Sequence, residues 1–303
     1  TGLEVASMLA NAGAVGIGIS LPFHGDRGLG ADPSLISFNY FNATAGRSNF
    51  RQAALEQVWI IETFFDNAHH FWGNSPNDEV AIDIRTNPEA LAYMGHSHGA
   101  EIGIIAAPFL GSRVQGIVLS GGDGGLSISA VHRSADDYPI QQLLRDTFEF
   151  LPDEELDEFH PLIGMIQFIA EATDPLNYGP YWHHWEPNWN ASPVDVLMFE
   201  GILDVYTPPG ATEALAGAAH IPILSPVEQR SVVQELLDID GVLAPASLNS
   251  AGWDGSLVTT GLAQYADYGH FTIFNETNAA RRYRDFLQTA LYDQATITSG
   301  ESQ

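Results

Sequence analysis

ALAYMGHSHGAEIGIIAAP, residues 90–108, is the stretch that decides the fold. Residues 91–94 are apolar and short enough for a buried strand, and the small-residue run 100–107 suits a helix packed closely on a sheet. Between them, GHSHG at 95–99 matches G-x-S-x-G. After a strand and before a helix, this motif is typical of a strained turn that carries a nucleophilic serine at its tip. The glycines relieve crowding where the strand and helix backbones meet. The stretch therefore predicts a reactive Ser97. The alternative is a glycine-rich turn around an unreactive serine, which has the same sequence pattern.

Composition and charge exclude several kinds of protein. The chain of 303 residues is 45% hydrophobic, enough to form the core of one large α/β domain or two small ones. It has no cysteine, which excludes disulfides, zinc–thiolate sites and a cysteine nucleophile within this sequence.

The formal net charge is −27 and all 11 basic residues are arginines. So acidic a chain repels phosphate backbones and anionic lipid, and we expect no nucleic-acid partner. We also expect no membrane span, because no apolar run approaches the roughly 18 residues that a span needs. An acidic surface without lysine fits a protein that works in high salt, and it fits the solubility of a secreted protein equally well.

The predicted elements alternate between strands and helices, which favours a parallel sheet flanked by helices, an α/β fold. Strands are predicted at 15–21, 91–94, 114–120, 194–199 and 262–265. Helices are predicted at 3–12, 51–65, 100–107, 153–158, 162–172, 211–218 and 278–292. The alternation breaks within residues 124–192, a long insertion that we interpret as a cap over the carboxyl ends of the strands. Its aromatic cluster consists of Tyr178, Tyr181, Trp182, Trp185 and Trp189. These rings either line an apolar pocket or pack the cap onto the body.

A serine hydroxyl needs a neighbouring imidazole to take its proton and a carboxylate to orient that imidazole. Among the 11 histidines, His270 follows the last predicted strand and precedes the last helix. Asp204 comes just after another predicted strand. Because parallel strands end at one edge of a sheet, we predict that both residues converge on Ser97. Glu200 and Asp123 also end strands and are the alternative acids.

The other histidines have simpler interpretations. His24 belongs to a turn, and the pairs at 69–70 and 183–184 suit the surface or the cap. His96 and His98 flank the serine, and we expect them to shape its pocket rather than bind metal, because no suitable third ligand lies nearby in the sequence.

Four segments of the chain resemble the motifs of α/β-hydrolases of the esterase and lipase type. They are LPFHG at 21–25, GHSHG at 95–99, GILDVYTPP at 201–209 and YGHF at 268–271. Residues 41–55 are similar, more loosely, to bacterial secreted or virulence-factor-type lipases. The resemblance implies an α/β-hydrolase catalytic domain over residues 1–303, with Ser97, Asp204 and His270 as the catalytic residues. It also implies that the backbone N–H of His98 donates to an oxyanion.

The same resemblance implies that the sheet is incomplete. Residues 15–21 match the fourth of eight strands and residues 91–94 the fifth, so strands one to three have no counterpart here, and the third belongs between these two. We expect a preceding segment, cut from this one or present as a companion chain, to supply them, because an unpaired central strand leaves buried backbone groups that cost about 1–3 kcal/mol each.

The sequence thus predicts a serine hydrolase of carboxylic esters, an esterase or lipase that works through an acyl-enzyme on a small-molecule or polymeric ester. The aromatic cap favours an apolar substrate over a charged one. A peptidase, amidase or acyltransferase with the same triad remains open, as does a non-catalytic binding protein. We expect no cofactor and no metal, and a secreted, periplasmic or cell-envelope location.

Overall fold

The computed structural model describes residues 2–28, 30, 32–39, 42–74, 81–136, 140–151 and 153–301. Its α-helices are α1 Gly2–Asn11, α2 Pro33–Phe38, α3 Ala43–Thr63, α4 His98–Leu110, α5 Leu126–His132, α6 Ile140–Phe148, α7 Pro161–Ala170, α8 Pro209–Ala218, α9 Val232–Leu236, α10 Thr272–Asn275 and α11 Thr277–Tyr292. Its strands are β1 His70–Asn74, β2 Ala81–Arg85, β3 Tyr93–His96, β4 Ile117–Ser120, β5 Val196–Gly201, β6 Leu224–Ser225, β7 Val242–Leu243, β8 Ser250–Ala251, β9 Leu257–Val258 and β10 Thr260–Tyr265.

The central sheet has four strands in the order β10–β5–β4–β3, all parallel. Every residue of β4 and β5 is buried, as expected for strands covered on both faces by helices. Because all four strands run in the same direction, their carboxyl ends lie along one edge of the sheet. The segments that follow β3, β5 and β10 therefore meet at that edge.

Two apolar clusters cover the two faces of this sheet. On one face, α3, α4 and α8 contribute buried side chains such as Ala53, Ile104 and Leu215. On the other face, α11 contributes Tyr283, Phe286 and Leu287. This layered arrangement, a parallel sheet between helices with a sharp turn between β3 and α4, is the α/β architecture that the sequence predicts.

Most predicted elements form, and the differences have physical causes. Helix α3 begins eight residues earlier than predicted, because the Asn42 side chain accepts a hydrogen bond from the Ala45 N–H and caps it. Residues 153–158 were predicted as a helix, but the structure has only turns and irregular backbone there. Acidic side chains that lack an apolar face to bury give a short helix little stability. The hairpin of β1 and β2 was not predicted.

The predicted strand at 15–21 is wrong. Residues 14–20 have no regular secondary structure and belong to no sheet, and Val15, Ile17 and Ile19 are exposed. A strand persists only when its N–H and C=O groups pair with a neighbour. Within the described part of the chain, no strand lies beside this segment.

The outer edge of β3 is open for the same reason. Among the described residues, β3 pairs with β4 alone. The N–H groups of Tyr93 and Ser97 donate to the carbonyls of Gly116 and Ser120, so those of Met94 and His96 point to the opposite side. The sequence-based expectation that a further strand completes the sheet here stays a prediction.

Two tryptophans of residues 124–192, the proposed cap, attach this insertion to α4. The indole of Trp182 is fully buried and donates to the Ile104 carbonyl at 3.2 Å. The indole of Trp189 donates to the Pro108 carbonyl at 3.1 Å, and its ring stacks on Phe109 with centroids 4.9 Å apart. These rings stabilise the packing of the cap on the body. Among the described residues, no helix is both long and apolar enough to span a bilayer.

Two helical glycines give a matched test of the packing. A Cβ at Gly103 of α4 would come within 2.3 Å of the Tyr93 ring, whereas a Cβ at Gly164 of α7 would meet nothing within 4 Å. We expect Gly103→Ala to lower the free energy of unfolding by about 1–3 kcal/mol through overpacking. Gly164→Ala should raise it by about 0.5–1 kcal/mol, because alanine favours a helix. Chemical denaturation measures both, and equal effects of the two substitutions would contradict the close contact of α4 with β3.

Hydrogen exchange tests the open edge. In the 1–303 chain we expect the amides of Met94 and His96 to exchange roughly 100-fold faster than those of Val118 and Leu119 in the middle of the sheet, because unpaired amides exchange without unfolding. Residue-resolved exchange measures this. Strong protection of Met94 and His96 in the chain alone would show that the edge is already covered. A polypeptide that slows these two amides selectively when added would be the segment that completes the sheet.

Candidate active site

Ser97 lies in a strained turn between β3 and α4. Its backbone has φ 54° and ψ −127°, a conformation that L-residues rarely adopt. Gly95 is required here, because a Cβ at that position would come within 2.4 Å of the Gly99 carbonyl oxygen. Gly99 itself has open space around the position of a Cβ. The crowding that the motif predicts is therefore relieved at the first glycine only.

The structure brings the three predicted residues together at the carboxyl edge of the sheet. The Nε2 atom of His270 lies 2.8 Å from the Ser97 hydroxyl oxygen, and its Nδ1 atom lies 2.8 Å from Asp204 Oδ2. The side chains of His270 and Asp204 are almost fully buried. In the neutral imidazole, the Nδ1–H donates to the carboxylate and Nε2 is free to accept the serine proton.

The loop after β5 fixes the Asp204 carboxylate. Oδ1 accepts hydrogen bonds from the backbone N–H groups of Tyr206 at 2.8 Å and Thr207 at 2.9 Å. Oδ2 accepts from the Thr207 hydroxyl at 2.7 Å. Burial pushes the pKa of Asp204 upward, but the hydrogen bond and charge of His270 and the bonds from Thr207 outweigh it, so the pKa is lowered overall. The carboxylate therefore stays ionised next to the imidazole.

Sequence reasoning missed Thr207. Its hydroxyl also lies 3.4 Å from His270 Nδ1, so it contacts both partners of the buried pair. The signal was present, because a threonine three residues after an aspartate is well placed to close a turn on its carboxylate. The sequence could not show that the turn would lie beside His270.

The loop that carries His270 depends on close backbone approaches. A Cβ at Gly201 would lie 2.3 Å from the Gly269 carbonyl oxygen, and one at Gly121 would lie 2.8 Å from the His270 ring.

The His96 ring lies beside His270, with centroids 4.8 Å apart. Burial, aided by the charge of His270, lowers the pKa of His96 to about 4. His96 is therefore neutral near pH 7 and places no charge against the His270 imidazole.

His98 stands at the first position of α4, where backbone N–H groups have no partner within the helix. Among the described residues, none accepts a hydrogen bond from the His98 N–H. The role of this N–H as an oxyanion donor stays a prediction. The imidazole of His98 turns away, contacting Phe38 and Phe50 and lying 3.2 Å from a Glu101 carboxylate oxygen.

The two alternative acids do not reach the imidazole. Glu200 accepts a hydrogen bond from Gln264 at 2.8 Å, and burial raises its pKa to about 8. Asp123 accepts from the Ser129 hydroxyl at 2.6 Å, and burial, with nearby carboxylates such as Glu101, raises its pKa. Among the described residues, the carboxylate bonded to His270 belongs to Asp204.

The other histidines have structural contacts, and no metal cluster forms within the described ranges. His24 stacks on His98, and His69 stacks on Phe64. His183 is buried, with its pKa lowered to about 4 by burial, and His184 stacks on His220. No group of three or more histidine, aspartate or glutamate side chains in the described part of the chain is arranged to hold a metal ion.

A cavity of about 130 Å³ opens beside Ser97 between the body and the cap. Its wall includes Phe50 and Arg47 from α3 and Leu126 from α5. Tyr206 and Arg133 line the side nearest the Asp204 loop. None of the five aromatic residues of the cap cluster is part of this wall. The expectation of an apolar substrate, which depended on that cluster, therefore has no support from the cavity.

No protein-family model matches the chain, and no curated protein matches it significantly. Solved structures to which the chain is similar include acetyl xylan esterase 1 from a Thermoanaerobacterium species, 17% identical with a TM-score of 0.43 over 83% of this chain. The Pyrococcus horikoshii acylaminoacyl peptidase is 12% identical, with a TM-score of 0.39 over 68% of this chain. An α/β-fold family hydrolase from Bacillus anthracis is 10% identical, with a TM-score of 0.36 over 81% of this chain and 76% of its own. The chain spans 58% of the length of the esterase and 24% of the peptidase. At these scores the similarities carry no argument about activity, which must come from the chain's own site.

Proposed function

We propose that this protein is a serine hydrolase that cleaves carboxylic esters through an acyl-enzyme. The observation that carries the proposal is the continuous hydrogen-bonded path from Ser97 through His270 to Asp204. Ser97 attacks the ester carbonyl while His270 Nε2 takes the hydroxyl proton. His270 then gives this proton to the leaving alcohol, and a water molecule, activated by the same imidazole, releases the acid.

The charges that develop along this path have partners. The ionised carboxylate of Asp204 stabilises the imidazolium that forms when His270 accepts the proton. The developing oxyanion accepts from the His98 N–H, which the start of α4 orients towards the site. Because the carboxylate, imidazole and turn are held by buried contacts, little reorganisation accompanies the reaction.

The size of the cavity favours a short substrate group. About 130 Å³ beside Ser97 holds a small acyl or alcohol group and leaves little room for a long chain. We therefore place the activity with esterases of short esters rather than with lipases or polyester hydrolases. A series of p-nitrophenyl esters of increasing acyl length, run beside the matching anilides, measures this preference and separates esterase from amidase.

Removal of the nucleophile tests the proposed function directly. We expect a fluorophosphonate to label the wild-type protein and to leave Ser97→Ala unlabelled, with ester hydrolysis reduced by about 10³-fold or more. Ser48→Ala, at an exposed position of α3, is the matched control and should be labelled like the wild type. Equal labelling of Ser97→Ala and wild type would reject Ser97 as the nucleophile. Absence of both labelling and hydrolysis in the wild type would favour a non-catalytic protein.

A second test asks whether Asp204 or Glu200 is the carboxylate that assists His270. Asp204→Asn should lower kcat by about 10³–10⁴-fold, because an amide holds the wrong tautomer of His270 and does not stabilise the imidazolium. Glu200→Gln should retain most of the activity, because Glu200 contacts Gln264 and not His270. Steady-state kinetics of the two variants measures the difference. Similar losses in both would assign Glu200 a catalytic part that the geometry does not support.

Glu200 should also make the stability of the folded protein depend on pH. Because the pKa of Glu200 is raised to about 8 in the folded state, its burial lowers stability as the pH rises from the unfolded value through about 8. The unfolding temperature of the wild type should therefore fall over this range, and Glu200→Gln should reduce the fall. Thermal unfolding of the two proteins at acidic and alkaline pH measures the effect.

A further inference from the structure

We propose that the cavity beside Ser97 binds substrates that carry a carboxylate, and that Arg47 on α3 pairs with this group. The inference rests on the proposed ester hydrolysis and names its substrate class. The face of α3 towards the cavity consists of Ala43, Gly46, Arg47 and Phe50. Their spacing of three and four residues places them on one side of the helix.

Within the described ranges Arg47 pairs with no carboxylate, although acidic residues far outnumber arginines in this chain. The Nε atom of Arg47 is buried and has no hydrogen-bond partner among the described residues. By contrast, Arg27, Arg113 and Arg284 each pair with a carboxylate. The chain has 38 acidic residues and 11 arginines. A partly buried guanidinium without an acceptor is costly, and an anion that pairs with it from the cavity stabilises its charge.

A second arginine adds positive charge to the same wall. The Arg133 guanidinium lies 4.9 Å from the centroid of the Tyr206 ring and donates to the Tyr206 carbonyl at 3.3 Å. These contacts hold it on the cavity side of the Asp204 loop. An anion bound by Arg47 therefore lies in the field of two guanidinium groups.

Three acidic residues also line the cavity, and each has a hydrogen-bond partner other than Arg47. Asp174 accepts hydrogen bonds from the backbone N–H groups of Gly125 and Leu126 and from a side-chain amide. A Glu101 oxygen lies 3.2 Å from the His98 imidazole. Asp123 bonds to Ser129, and burial raises its pKa, so it tends to stay protonated. The acids that face the cavity thus do not pair with Arg47, and the negative charges of Asp174 and Glu101 make the contact of the anion with guanidinium groups necessary for its binding.

The carboxylate could belong to the acyl part or to the alcohol part of the ester, and two pairs of substrates distinguish these sources. The first pair is p-nitrophenyl hydrogen glutarate and p-nitrophenyl pentanoate, which have acyl chains of equal carbon number. The second pair is 4-acetoxybenzoate and 4-acetoxybenzamide, which differ in charge on the alcohol side. A bidentate arginine–carboxylate pair in a partly desolvated cavity supports a preference of about tenfold in kcat/KM for the charged member of one pair.

Substitution of Arg47 should remove this preference. Arg47→Gln should lower kcat/KM for the preferred charged ester about tenfold more than for its neutral partner, and Arg47→Lys should restore part of the difference. Arg51→Gln, one turn further along α3 and exposed, is the matched control and should keep the wild-type preference. A wild type without charge preference in either pair overturns the proposal, as does an Arg47→Gln variant that keeps the preference.

Binding measurements separate this proposal from the proposed function. Calorimetry with glutarate and with 4-hydroxybenzoate, on Ser97→Ala and on the double variant with Arg47→Gln, needs no catalysis. We expect one of these anions to bind Ser97→Ala and to bind the double variant about tenfold more weakly. If the wild type hydrolyses no ester but this difference is found, the carboxylate site stands and the hydrolase function fails. If neither anion binds, or both variants bind equally, the carboxylate site fails whatever the hydrolysis assays show.

Discussion

The close approach of two backbones at Gly95 and Gly99 is the constraint on which the rest of the structure depends. The carbonyl of Gly99 lies where a side chain at 95 would stand, so α4 begins almost in contact with the end of β3. Ser97, in the turn between them, has a positive φ, and the small residues of α4 pack against the sheet. Helix α4 has seven consecutive buried positions, from Ile102 to Pro108, and α3 packs against its outer side. The same geometry that exposes the hydroxyl therefore also organises the core.

The parallel order of the strands explains why three residues distant in sequence meet. Ser97, Asp204 and His270 each follow a strand of one sheet, and β3, β5 and β10 end along one edge. The glycines at 121 and 201 let the loops approach closely enough for the 2.8 Å contacts. The site is therefore held by backbone packing, and the side chains add the specific hydrogen bonds of the buried pair.

The features that could be predicted from the sequence are those that depend on local signals. The turn at Ser97 follows from glycine spacing, and Asp204 and His270 follow from their position after buried strands. Features set by distant neighbours could not be predicted in this way. Residues 15–21 have the composition of a strand, but a strand forms only beside a partner, and none lies beside it in the described part of the chain. The cap aromatics have the composition of a binding pocket, but Trp182 and Trp189 find carbonyl acceptors on α4. Arg47 gave no signal, because its place on the cavity wall depends on how α3 crosses α4.

The net charge of −27 repels anions, whereas the proposed site binds a carboxylate. The two are compatible because the repulsion and the binding act over different distances. Repulsion of an anion by the whole protein operates through solvent, where salt screens it beyond a Debye length of about 10 Å at ~0.1 M ionic strength. Pairing with a guanidinium takes place at contact in a partly desolvated cavity, where screening is much weaker. Raising the salt concentration therefore lowers the barrier to approach more than it weakens the bound pair. An acidic surface combined with an arginine-lined cavity suits anionic substrates best where the surroundings are salty, which is also where a surface with so many carboxylates is least destabilised by its own repulsion.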